Sequence, residues 1–289
     1  MRYVRLPCSR IGHFALNTEI YLCERDAGLH RLSRHTDERF FHGPGRMSNR
    51  HLATMWERLL PFQNPPSDAD VFDVWTQVDI QGGGHLLSET KPHLVFSDKD
   101  EIRGRETLES WGVDGPWVCL HVRDSAYLDA AIPNWDWRYH DHRDADVDTY
   151  VPACEYLVDF GFNVIRMGAR VHKPIASDLV IDYATNGTRS EFMDIYLAGK
   201  CEFMITTGSG IDGVSMIFRR PCVFTNAIPA GYQQPHHPKN RFLNKHLRLH
   251  GEMLPEVENT RLRGDEYGDI EIIDNTPEEL LACVRAMVA

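Results

Sequence analysis

Long hydrophobic runs are missing from this sequence: no stretch approaches the ~20 uninterrupted apolar residues that a membrane span requires. No transmembrane segment is expected. The amino terminus, Met1-Arg2-Tyr3-Val4-Arg5-Leu6-Pro7, meets Cys8-Ser9-Arg10 too soon to build the apolar middle of a secretory signal peptide, which predicts a cytoplasmic address. Cys-x-x-Cys pairs are missing too. The seven cysteines, at positions 8, 23, 119, 154, 201, 222 and 283, are odd in number and widely spaced. That spacing argues against a disulfide framework or a zinc knuckle and predicts reduced, mostly buried thiols. Positive charge is scarce: 31 Lys and Arg face 42 Asp and Glu, a formal net charge of -11. Such a surface repels a polyphosphate backbone, so nucleic acid is not an expected partner. A small phosphorylated ligand stays compatible, because two or three arginines and a helix N-terminus suffice for a pyrophosphate.

What is present is an ordinary globular composition, 42% hydrophobic and 25% charged, in a chain long enough for one large domain or two modest ones. We read two. Tyr3–Leu6 suits a strand, Ser9-Arg10-Ile11-Gly12-His13 a turn, and Phe14 to Cys23 a helix, a Rossmann-type opening. Asp26 to Gly45 is polar and rich in His and Arg. Asn49 to Leu60 looks helical and stops at Pro61, whose missing amide forbids continuation. Gly82-Gly83-Gly84 reads as a plain loop. Trp111-Gly112-Val113-Asp114-Gly115-Pro116 reads as a linker, which divides the chain into residues 1–115 and 116–289. Beyond it, apolar runs and helical patterns alternate: Trp117–Val122, Tyr150–Asp159, Asn163–Met167, Leu179–Asp182, Glu191–Ala198, Phe203–Thr206, Ile211–Phe218 and Cys222–Phe224. This alternation predicts βαβ crossovers and a parallel sheet, with ligands at the carboxyl ends of the strands. Thr276-Pro277-Glu278-Glu279 starts a closing helix that runs to about Val288.

The polar clusters fall at those strand ends. His121 and Arg123 are two apart, so they share one face, where an arginine can grip a phosphate through two donors. The same residues could instead be a core histidine and an arginine paired with Asp124 or Asp182. Arg166, followed by Gly168, ends the next strand, and two arginines at adjacent strand ends suit a diphosphate. Asp182 and Tyr183 end the third; they could hold a base or ribose, or hydrogen-bond within the sheet. Thr207-Gly208-Ser209-Gly210 precedes a helix, an arrangement whose free amides favour phosphate, although a tight structural turn would look the same. It is not a Walker loop, since no Gly-Lys-Ser/Thr follows. His140-Asp141-His142-Arg143-Asp144 and His236-His237 lack metal-ligand spacing and read as solvated loops that could touch an acceptor.

Taken together, Cys8-Ser9-Arg10-Ile11-Gly12-His13 with Asn17-Thr18-Glu19, His121-Val122-Arg123-Asp124-Ser125-Ala126-Tyr127-Leu128, Arg166-Met167-Gly168, Asp182-Tyr183-Ala184 and Phe192-Met193-Asp194-Ile195-Tyr196-Leu197 resemble a family of bacterial glycosyltransferases along nearly the whole chain. The His-x-Arg strand end, and the Asp-x-x-Leu helix followed by a Thr/Ser-Gly loop, are more distantly similar to GDP-fucose-dependent fucosyltransferases of the GT-B fold. The resemblance implies an α/β, GT-B-like fold of two facing Rossmann-like parallel-sheet domains with a small N-terminal one. It also implies a nucleotide-sugar donor in residues 116–289, a glycan, lipid-linked or protein acceptor toward residues 1–115, and neither divalent metal nor other cofactor. Arg123 and the loop amides would stabilise the departing β-phosphate. A base would lie across the cleft, with Glu19 or His13 as candidates and Asp124 behind them. Arg10, Gly12, His121, Arg166, Gly168, Asp182, Tyr183, Asp194, Thr207, Gly208, Ser209 and Gly210 would contact substrate. Two features depart from the fucosyltransferase pattern: the N-terminal part is short, and no Arg-Arg pair follows His121. Transfer of a GDP-sugar, with inversion, is the expected chemistry. A sugar-nucleotide epimerase or hydrolase and a non-catalytic binding module are the rivals.

Overall fold

The computed structural model describes residues 1–30, 36–80, 82–131, 134, 136–228, 236–255 and 268–289. The chain opens with β1 (Arg2–Leu6), α1 (Ile11–Asp26), β2 (Glu38–His42), α2 (Arg50–Leu59) and β3 (Val71–Asp73). These form a parallel sheet in the order β2-β1-β3. Two one-turn helices, α3 (Val74–Gln77) and α4 (Leu86–Glu89), then lead to α5 (Asp98–Ser110). Helix α1 starts earlier than its apolar periodicity predicts, because the Phe14 amide already reaches the Arg10 carbonyl at 2.9 Å. Gly12 and His13 therefore belong to the first helical turn rather than to a loop. Gly83–His85, expected as a loop, is a 3-10 turn. Asn49 caps α2 by accepting from the Leu52 amide at 2.9 Å.

The second half contains β4 (Trp117–His121), α6 (Ala126–Ala131), α7 (Val151–Asp159), β5 (Asn163–Arg166), β6 (Val180–Asp182), α8 (Glu191–Lys200), β7 (Met204–Thr206), α9 (Asp212–Ile217), β8 (Cys222–Ala227) and β9 (Arg241–Asn244). All six strands are parallel and ordered β6-β5-β4-β7-β8-β9. Counted within this half the order is 3-2-1-4-5-6, the doubly wound arrangement, whose direction reverses between β4 and β7. A small antiparallel sheet, β10 (His246–Leu249), β11 (Glu252–Met253) and β12 (Glu271–Ile273), precedes α10 (Pro277–Val288). Helix α10 begins, as its sequence predicts, with Thr276 and Glu279 capping each other's amides and Pro277 in the first turn. Among the described residues no helix is long and apolar enough to cross a membrane. The cysteines are unpaired, and all but Cys283 are buried.

One continuous core joins Phe14, Tyr21 and Trp56 around the first sheet to Phe192, Met193 and Ile195 of α8. Helix α1 lies along α9, and α2 along α8. The first contact is close enough to need glycine: a methyl on Gly12 would sit 2.8 Å from the Gly210 Cα, backbone against backbone. This juxtaposition brings the amino end of α1 to the carboxyl end of β7.

Candidate functional site

His121 and Thr206 are register partners at the ends of β4 and β7, where the strand order reverses. The reversal opens the crevice in which doubly wound sheets bind ligands. The chain leaves β7 through Thr207-Gly208-Ser209-Gly210, turning at Gly208 with φ +78°, a left-handed conformation natural to glycine. Two contacts lace this loop to β4. The Arg123 amide donates to Thr207 Oγ1 at 3.0 Å, and Ser209 Oγ lies 3.0 Å from His121 Nδ1. Burial pushes the His121 imidazole down to about 4, with the Arg166 and Arg123 charges acting in the same direction. It is neutral at physiological pH.

Three of the four loop amides expected to face a phosphate turn inward. Thr207 N donates to the His121 carbonyl at 3.3 Å, Gly208 N to Thr206 Oγ1 at 3.1 Å, and Ser209 N to Asp212 Oδ2 at 2.7 Å. Asp212, buried at the start of α9 and pushed up to about 6 by that burial, already answers this helix end. Charged side chains stand beside this loop. The Arg123 guanidinium is buried, 8% exposed, and its Nη1 donates to the His140 carbonyl at 2.9 Å and to the Asp144 carboxylate. Its Nη2 is buried with no hydrogen-bond partner among the described residues. Burial, then the Arg143 charge, push the guanidinium down to about 10, so it stays cationic at neutral pH.

Residues 140–144 are not the solvated loop that their polarity predicts. A 3-10 turn, Arg138–Arg143, folds them onto the crevice, where Arg143 donates to the Gly208 carbonyl and the Asp144 carboxylate accepts from Arg123. Lys245, buried between β9 and β10, donates to the Asp144 carbonyl at 2.6 Å and to Asp274 Oδ1 at 2.6 Å. Arg143, Asp144 and Lys245 were not singled out from sequence. The only signal was the charge-rich run itself, whose partners come from elements distant in the chain. His236 lies away from this chemistry, with Nε2 2.9 Å from the Arg220 carbonyl and Nδ1 3.0 Å from Asn240 Nδ2. The preceding Gln233–Pro235 lies outside the described residues.

The opposite wall is the amino end of α1. Arg10 is exposed, and its Cζ stands 5.8 Å over the Trp137 ring. His13 stacks on Trp75, with centroids 4.5 Å apart and planes at 19°. Its Nδ1 lies 3.0 Å from Asn17 Oδ1, while Asn17 Nδ2 reaches the Val74 carbonyl at 3.4 Å. That amide orientation places the proton on His13 Nδ1 and the lone pair on Nε2. Burial lowers the His13 pKa below its usual range, which favours the neutral base.

Several predicted site residues are instead engaged in the fold. Glu19 does not reach the crevice: it is fully buried, paired with Arg219 Nη2 at 2.8 Å and with His93 Nδ1 at 3.1 Å. Glu19, Cys23 and His93 form a cluster of metal-ligand type, but Arg219 lies among them, with Nη2 3.7 Å from Cys23 Sγ. Asp124 accepts from the Ala126 amide at 3.1 Å and the His172 amide at 2.9 Å, holding the turn into α6. Arg166, 1% exposed, donates to the Lys173 carbonyl at 2.7 Å and Asp182 Oδ2 at 3.1 Å, tying β5 to β6 rather than facing the crevice with Arg123. Tyr183 is fully buried, donating to the Ser190 carbonyl at 2.9 Å and Asp194 Oδ1 at 3.1 Å. Asp194 pairs with Arg189 at 2.5 Å, and burial pushes it up to about 6. Gly168 sits in a tight turn, where a methyl would come 2.6 Å from Val171 Cγ1. Two surface concavities, of about 240 and 210 Å³, are lined by residues of the first half and include none of the crevice.

No protein-family model matches the chain, and no curated protein matches it by sequence. Solved structures do. The ADP-heptose LPS heptosyltransferase II of E. coli superposes over 100% of this chain and 98% of its own, with 11% identity and a TM-score of 0.50. A glycosyl transferase family 9 protein from Veillonella parvula aligns over 84% of this chain and 86% of its own, with 11% identity and a TM-score of 0.46. The iron-containing dodecameric glycosyltransferase TibC of enterotoxigenic E. coli aligns over 99% and 74%, with 12% identity and a TM-score of 0.48. The first of these likenesses, with the two parallel sheets, gives the fold expected from sequence: α/β and GT-B-like, built from two Rossmann-like units of which the N-terminal one is small.

Proposed function

We propose that this chain is a glycosyltransferase that holds a nucleotide-sugar donor in the β4/β7 crevice and transfers the sugar to an acceptor hydroxyl presented by the N-terminal side. The observation that carries the reading is the placing of Arg123 and Arg143 at the switch point of one sheet, where Gly210 packs on Gly12 in the first turn of α1, the turn that also bears the neutral His13. The E. coli protein with the same fold is named for ADP-heptose, which supports a nucleotide sugar as donor. The division at residues 111–116 then separates the acceptor side, 1–115, from the donor side, 116–289.

In this reading the acceptor oxygen attacks the anomeric carbon while its proton passes to His13 Nε2. The bond from that carbon to the β-phosphate oxygen breaks, and its electron pair leaves with the nucleoside diphosphate. Arg123 and Arg143, with Arg10 at the rim, stabilise the departing charge where other enzymes use a divalent ion. The phosphate takes the place of Asp144 on Arg123 and supplies the missing acceptor for Nη2. A single displacement of this kind inverts the anomeric centre. The sequence resemblance favours a GDP-sugar, and the fold neighbour directs attention equally to ADP.

Calorimetric titration of GDP, ADP, UDP, CMP and dTDP, with and without chelator, tests the proposal on wild type and Arg123→Ala. One diphosphate should bind irrespective of chelator. Loss of charge-assisted hydrogen bonds of about 1.5–3 kcal/mol should weaken it roughly 10- to 100-fold in the variant. Binding by none of them, or equal binding by Arg123→Ala, would sink the reading. Release of free or epimerised sugar from the matching nucleotide sugar without acceptor would point to hydrolase or epimerase chemistry. Nucleotide binding with no turnover on any acceptor would point to a binding module.

A further inference from the structure

The first sheet has a switch point of its own. Its order β2-β1-β3 reverses between β1 and β3, and the carboxyl ends of these strands, Leu6 and Asp73, mark the crevice position at which such a sheet takes a ligand. Two side chains frame it: His13, from the first turn of α1, and Trp75, from the first turn of α3. Trp75 is 38% exposed although it is the largest kind of apolar side chain, and its nine-atom indole extends beyond the smaller imidazole stacked on it. Asp73 caps α3 by accepting from the Trp75 backbone amide at 3.0 Å, which anchors the turn that carries the indole. The same carboxylate receives Arg5 Nη1 at 3.2 Å, and both members of that pair remain partly open to solvent.

We infer that this β1/β3 crevice is a carbohydrate subsite, with the Trp75 indole as platform for the apolar face of a pyranose and the Arg5–Asp73 pair as hydrogen-bonding partners for its hydroxyls. The inference rests on the proposed transferase reading and narrows its acceptor to a sugar hydroxyl rather than a lipid or a protein side chain. The chemistry matches the ligand class. A pyranose presents a patch of C–H groups flanked by hydroxyls, and an aromatic face beside planar charged groups answers both. The position matches too, since a ring seated on Trp75 has its edge beside His13, where a hydroxyl can give up its proton. Neither the nucleotide base nor the diphosphate is required for this contact.

The test is ligand-observed saturation-transfer NMR with the α and β methyl glycosides of glucose, galactose and mannose, in the presence of the best-binding nucleoside diphosphate. Wild type, Trp75→Phe, Trp75→Ala and Arg5→Gln are compared. Wild type and Trp75→Phe should transfer saturation chiefly to protons on one face of at least one ring. Affinity should fall about 2- to 10-fold in Trp75→Ala, the range of an aromatic stacking contact. Arg5→Gln should compress the differences among the sugars. Trp75 is partly exposed, so its removal should leave nucleotide affinity unchanged, which also verifies the fold of the variant. Absence of sugar binding to wild type while the diphosphate binds, or equal sugar binding by Trp75→Ala, overturns the subsite and leaves the donor reading intact. Sugar binding that depends on Trp75, in a protein to which no nucleotide binds, keeps the subsite and removes the donor.

Discussion

Replacing Asp144 by asparagine should tighten nucleotide binding, although the substitution lies inside the site. Asp144 holds Arg123 through its carboxylate, and in the proposed reading a phosphate takes its place on the guanidinium. Asparagine keeps the shape and an acceptor oxygen and removes only the charge. Two unit charges 4 Å apart interact by about 4 kcal/mol at an effective dielectric of 20. Asp144 is 26% exposed, so water screens part of this. A net of about 1.5 kcal/mol is the figure to use, corresponding to roughly tenfold in affinity.

Two measurements read the effect. Calorimetry should give a dissociation constant about tenfold lower for Asp144→Asn. Thermal denaturation should show a less stable free protein whose ligand-induced shift is larger than that of wild type, because one lost contact accounts for both changes. In the Arg123→Ala background the same substitution should do nothing, since the partner is gone. Weaker binding by Asp144→Asn would refute the reasoning. It would mean that Asp144 orients Arg123 for the ligand, with Nη2 as the contacting atom, and does not compete with it.

Two other substitutions separate scaffold from site. Glu19→Ala should leave Arg219 and His93 without their buried counter-charge and cost about 3–5 kcal/mol in chemical denaturation, with nucleotide affinity unchanged; loss of turnover at unchanged stability would instead restore Glu19 as a base. Burial opposes charge on His93, but its hydrogen bonds with Cys23 and to the Glu19 and Asp26 carboxylates raise its pKa to about 10. Its contribution should therefore be complete below pH 6.5 and fade as pH rises through about 10, narrowing the wild-type advantage over Glu19→Ala. Gly12→Ala should push α1 off the Gly210 backbone, lowering stability by about 1–3 kcal/mol and weakening donor binding together; an unchanged melting temperature would show that the contact is slack.

The doubly wound sheet was legible because each of its inner strands is an apolar run of the right length between helical patterns, and Arg123 was legible as a polar residue at the end of one. Of the first sheet only β1 was legible, as the run Tyr3–Leu6 before α1. Strand β2 reads Glu-Arg-Phe-Phe-His, without alternation, and β3 is only three residues long. Helix α5 escaped for the opposite reason: its buried positions are Asp100, Gly104 and Leu108, a correct helical stripe with one apolar residue in it. Its signals were the Ser97–Asp100 capping box and a glycine, whose lack of a side chain admits the Tyr196 ring. The site follows the same logic. Strand-end polarity could nominate Arg123, Arg166 and Asp182 equally, but only the packing decides that Arg166 pairs with Asp182 between β5 and β6 while Arg123 takes its carboxylate from the turn at residues 140–144. Each arginine keeps one buried nitrogen unanswered, but the carboxylate on Arg123 is 26% exposed against 14% for the one on Arg166, so Arg123 is the looser tie and the better place to put a phosphate. That difference between two arginines at neighbouring strand ends is a property of their partners, which lie 17 and 21 residues on from Arg123 and 7 and 16 residues on from Arg166.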